Sequence, residues 1–78
     1  MPLTSAALIH YLHDDLNIDQ EIAPETELFS SGMLDSVAMT NIIMYLEETA
    51  GIVVRPADVT LENFDTVKAI VEYAYAGA

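Results

Sequence analysis

The stretch from Met39 to Gly51 allows one conformation more readily than any other. Met39, Ile42, Ile43, Leu46 and Ala50 recur at i, i+3, i+4, i+7 and i+11, which puts them on a single stripe of an α-helix and on no single face of a strand. Asp35 suits the N-cap of this helix and Gly51 its C-terminal stop. A helix with one apolar face needs something to bury that face against. The chain has only 78 residues to supply it, one domain's worth. A chain this short buries only about 60% of its unfolded surface. It contains no cysteine, so no disulfide or thiolate metal site can reinforce the core. Helix packing has to hold the fold.

Further helices are legible on either side. Leu8, Ile9, Leu12 and Leu16 lie on one helical face, with Thr4 placed to cap it. A last helix starts at Asp65 or Thr66 and buries Val67, Ile70, Val71 and Ala74, with Phe64 and Ala69 in register for a hydrophobic staple. Pro56 opens a short or irregular helical turn through Ala57, Asp58 and Val59. The "IVV" run at 52–54 reads locally as a strand but has no partner strand, so it is assigned to an apolar connector. Between the first two helices, residues 17–34 lose periodicity and carry Pro24, paired serines and Gly32. This is a long loop pinned by Ile18, Ile22, Leu28 and Phe29, and loops of that length in small domains are usually functional. The expectation is an all-α fold: a small four-helix bundle of three main helices and a short third one, forming a single domain over 1–78.

Charge narrows the partners. Thirteen carboxylates face only Arg55 and Lys68, for a net −11. Such a surface repels nucleic-acid phosphates and anionic lipid headgroups, and attracts proteins with basic patches. No apolar run is long enough to span a bilayer, and the N-terminus lacks the pattern of a secretory signal. A cytoplasmic monomer is expected.

Several constellations resolve into plain explanations. His10 and His13 are three apart on a helix, a spacing that can hold zinc, but structural zinc normally needs four ligands and no cysteine is present to help, so they are read as solvated surface histidines and no metal is assigned. Asp15, Asn17 and Asp19 imitate the start of a calcium loop, yet Gln20 stands where glycine is required and Thr26 where a bidentate glutamate is required. Ser36 has no base nearby in sequence and no nucleophile-elbow glycine pattern, so catalysis by this chain is disfavoured. Away from the core-facing set, Val37, Thr40, Asn41, Met44 and Glu48 form a second stripe, rimmed by Glu47 and Glu48, that reads as a small docking face.

The segment "GMLDSVAMTNIIMYLEE" resembles the attachment region of the acyl and peptidyl carrier proteins: Asp35–Ser36, then an apolar Val37, then a helix ending in Leu46, Glu47 and Glu48. Length, acidity, the long first loop and the order of helices agree along nearly the whole chain. The resemblance implies that Ser36 receives a 4′-phosphopantetheine arm from coenzyme A by the action of a separate Mg²⁺-dependent phosphopantetheinyl transferase. The arm's thiol would hold acyl or aminoacyl cargo as a thioester. A cargo-loading ligase or adenylating enzyme and downstream synthases or transferases would be the other partners. Ala38 and Asn41 stand where fatty-acid carriers commonly have acids, and "SGMLDS" with "NFDTVKAI" is closer to stand-alone carriers for amino acids or specialised metabolites. The alternative is an unmodified acidic interaction or regulatory module that docks through the same second helix.

Overall fold

The computed structural model describes residues 3–77. Four α-helices follow one another: α1 (Ser5–Asp14), α2 (Ser36–Ala50), α3 (Leu61–Phe64) and α4 (Val67–Gly77), with a 3₁₀ turn at Pro56–Asp58 before α3. No strand occurs among the described residues, and the expected small helical bundle is what forms. The 52–54 segment runs as a connector. Its odd and even side chains part company, Ile52 and Val54 into the core and Val53 82% exposed, and the Glu47 carboxylate accepts the Val54 amide at 3.1 Å to hold it down.

Each helix start is fixed by a short polar side chain. Thr4 accepts the Ala7 amide at 3.0 Å, Asp35 accepts that of Ala38 at 3.0 Å, and Thr66 accepts that of Ala69 at 3.0 Å, each satisfying an amide that has no partner within its helix. Because Thr66 caps α4, the residue before the cap is Asp65, and the Phe64–Ala69 staple expected from the sequence is out of register. Phe64 is instead fully buried, with its ring tilted against Tyr73 at 5.4 Å between centroids. The short or irregular turn expected at Pro56 forms, and a separate helical turn follows it. Pro56–Asp58 makes only a 3₁₀ turn, and Thr60, whose hydroxyl accepts the Asn63 amide, starts a separate helical turn ending at Phe64.

α4 packs against α1, α2 and α3 and supplies Val67, Ile70 and Ala74 to the core, with Val71 half-buried. α1 contributes Leu8 and Leu12, while Ile9 and Leu16 pack at its edge. On α2 the deepest residues are Ala38, Ile42 and Leu46, and the expected Met39, Ile43 and Ala50 are half-buried beside them. The helix is turned so that its small residue, Ala38, faces inward near the loop. The 17–34 loop is part of the core: Ile22, Leu28 and Leu34 are buried, each worth roughly 1.5–3 kcal/mol relative to exposure. Asn17, three residues past the end of α1, takes a left-handed conformation (φ 56°) as the loop begins, which asparagine tolerates better than most residues.

Candidate functional site

Ser36 is the first residue of the longest helix and lies at the surface. Its hydroxyl makes no hydrogen bond among the described residues. The side chain that would compete for the role of cap is Asp35, and Asp35 holds it. The serine is therefore spared structural duty. The first-turn amides that Asp35 leaves unclaimed point toward the same corner, giving it partial positive charge in an otherwise acidic molecule.

The approach to Ser36 is set from the far side of the sequence. Leu28 donates its amide to the Asp65 carbonyl at 2.6 Å. The Asp65 carboxylate accepts the amides of Phe29 (2.8 Å) and Ser30 (2.9 Å) and the Ser30 hydroxyl (2.6 Å). Partial burial pushes the Asp65 carboxyl up, but the Ser30 hydroxyl and the backbone amides outweigh it and hold its pKa below the ordinary 3.8. Gly32, at φ 82°, then turns the chain, and Leu34 donates its amide back to Leu28 at 2.9 Å. The α3–α4 corner thus grips the loop that delivers Ser36. Beside the serine opens a groove of about 420 Å³, bordered by Leu16, Ile18, Met33, Val37 and Asn41.

The stripe beyond Ser36 is partly open. Val37 is 66% and Met44 52% exposed, and Thr40 and Glu48 are at the surface. The Thr40 hydroxyl donates to the Ser36 carbonyl at 3.1 Å. Asn41 is half-buried, and its backbone carbonyl accepts the Tyr11 hydroxyl at 3.1 Å. Glu47 lies toward the edge of the stripe, with one carboxylate oxygen on the Val54 amide. Ala38, named in the sequence as a missing acid, points into the core, so its identity reflects packing. Only Asn41 bears on the charge of this surface.

The two histidines separate. His10 is exposed and 3.0 Å from Asp14. His13 departs from the expected solvated histidine: it is half-buried, with Nδ1 2.7 Å from the Ile18 carbonyl. A carbonyl only accepts, so Nδ1 carries the proton and staples the loop to α1. No group of three or more His, Cys, Asp or Glu among the described residues is placed to hold a metal ion. No helix is long and apolar enough to cross a membrane.

An all-helical bundle with an unengaged serine at the start of its second helix has the form of a carrier domain. The family described as "Phosphopantetheine attachment site" matches residues 6–74. The chain belongs to this family. It is a non-catalytic carrier of the acyl and peptidyl carrier type, and its cofactor is a 4′-phosphopantetheine bound covalently through a serine. Comparison with curated proteins gives no match.

Asp65, Ser30 and the Tyr11–Asn41 tie were not found from the sequence. Asp65 is 35 positions from Ser30 and Tyr11 is 30 from Asn41, and no local period links residues so far apart.

Proposed function

We propose that Ser36 is the attachment point and that residues 1–78 work as one cytoplasmic, monomeric carrier domain in an aminoacyl or specialised-metabolite pathway. The observation that carries the assignment is the exposed Ser36 at the N-terminus of α2, whose hydroxyl has no hydrogen bond among the described residues, next to a cap that does not need it. The donor set fits the group. A phosphodiester on Ser36 would lie at the positive end of a 15-residue helix, a favourable place for anionic charge. When bound, the cofactor supplies the terminal thiol on which cargo is carried. Ser36 contributes only the oxygen that is phosphorylated, and the phosphopantetheinyl transferase activates it.

Asp35 and Gly32 orient that oxygen outward. Val37, Thr40, Asn41, Met44 and Glu48, with Glu47 at the edge, offer the surface that the transferase, the loading enzyme and downstream synthases would contact. The aminoacyl leaning rests on Asn41 in place of an acid and on the form of the "SGMLDS" loop.

Incubation with coenzyme A, Mg²⁺ and a broad-specificity phosphopantetheinyl transferase should add one phosphopantetheine by intact mass. Wild type without an adduct, or an equal adduct on Ser36→Ala, refutes the assignment. Offered to amino-acid-adenylating and acyl-adenylating enzymes, the loaded protein should be charged faster by the former, and the opposite order would reverse the pathway reading.

A further inference from the structure

Behind the α2 stripe, α1 and α2 are bridged by an aromatic pair. Tyr11 and Tyr45 stack with centroids 4.2 Å apart and planes 20° from parallel. The Tyr11 hydroxyl is anchored on the Asn41 carbonyl. A trough of about 290 Å³ opens here, lined by Tyr11, Asp15, Asn41, Met44, Tyr45 and Glu48. It adjoins a second hollow over Ala7 and His10 that shares both tyrosines and Asp15.

The lining of the trough combines two carboxylates, Asp15 and Glu48, with both tyrosine rings. Burial raises the Tyr11 phenol pKa, and Asp15, Glu48 and Tyr45 raise it further, so both carboxylates reach the same place. Among the described residues neither Asp15 nor Glu48 has an ion-pair partner. The chain's two cations are elsewhere, Arg55 paired with Asp58 at 3.3 Å and Lys68 on α4. His10, at the rim of the adjoining hollow, is paired with Asp14.

We propose that this α1–α2 trough is a receptor for an arginine side chain presented by a partner enzyme. A planar guanidinium can lie against a tyrosine ring while its N–H fork meets carboxylates on either side, and the methylene stem can rest on Met44. A lysine ammonium can satisfy the charge but lacks the planar face. The proposal deepens the docking reading above by naming the chemistry of the visitor and by extending the contact from α2 to α1.

The test is an NMR titration of the ¹⁵N-labelled chain at low ionic strength with three blocked tripeptides, Gly-Arg-Gly, Gly-Lys-Gly and Gly-citrulline-Gly. Saturable shifts confined to the amides around Tyr11, Asp15, Met44, Tyr45 and Glu48 are expected with the arginine probe. The arginine Kd should be lower than the lysine Kd by about two- to five-fold, the range of an exposed cation–π contact. Citrulline should leave those amides unmoved. Asp15→Asn and Glu48→Gln should each weaken arginine binding at least about two-fold, while Glu62→Gln, on α3, should not. Tyr45→Leu, checked for an intact spectrum, should remove the preference for arginine. Equal arginine and lysine affinities, shifts spread over the acidic surface, absence of saturation, or an effect of Glu62→Gln equal to that of Glu48→Gln would each overturn the proposal. Ser36→Ala should bind the probe as wild type does. Loss of the mass gain in wild type alongside intact arginine binding would defeat the carrier assignment and leave the trough standing.

Discussion

Replacing Asp65 should unfasten the loop that presents Ser36. Three donors converge on its carboxylate. Two of them, the Ser30 amide and hydroxyl, are exposed, and water can replace the carboxylate there at little cost. The third, the Phe29 amide, is partly buried. Leaving such a donor without its charged acceptor costs about 2 kcal/mol. In a domain of this size, Asp65→Ala should therefore lower the thermal midpoint by about 8–16 °C. Asp65→Asn keeps an acceptor oxygen without the charge and should lose roughly half as much.

The pH dependence has a definite sign. A carboxyl whose folded pKa lies below 3.8 stabilises the fold fully above its unfolded pKa, and that contribution fades as pH falls through the folded value. The gap in midpoint between wild type and Asp65→Asn should therefore be constant from neutrality to about pH 5 and should close in more acidic solution. Circular dichroism melts across that range measure it directly. A gap below about 2 °C at neutral pH, or one that widens as the solution is acidified, would refute the reasoning.

Two further changes probe the ends of α2. Asp35→Ala removes the cap and should cost about 1 kcal/mol, most of it restored by Asp35→Ser, as read from denaturant midpoints. If the alanine and serine variants melt alike, the cap is inert. Gly51→Ala meets no neighbouring atom within 4 Å, so its effect isolates the left-handed backbone at φ 69°. A loss of about 1 kcal/mol is expected, with a smaller loss for Gly51→Asn.

What could be read from the sequence was local. The caps Thr4, Asp35 and Thr66 act within three residues of themselves, and the apolar period of each long helix is visible in a few turns. The inward rotation of α2 was less legible, because alanine counts little in a hydrophobic pattern, yet Ala38 is in the core. Leu34 was missed for a different reason: it is a lone apolar residue beside glycine and methionine with no period to join. The Asp65 clamp and the Tyr11–Tyr45 pair depend on how the elements are folded together. In sequence, Asp65 looks like a possible helix start, and nothing local marks Tyr11 and Tyr45 as a pair. Around Ser36 the serine and its neighbours were legible, while the support that aims them was not.

The tie from Tyr11 to α2 ends on the main-chain oxygen of Asn41. Every amino acid carries that oxygen, so position 41 can change its side chain without cutting the tie. If Asn41 belongs to the docking face proposed above, descendants of this chain, or engineered versions of it, could exchange recognition of one set of enzymes for another at position 41 while the architecture stays put. On that proposal, loyalty to a pathway and integrity of the fold would be written in separate atoms of the same residue.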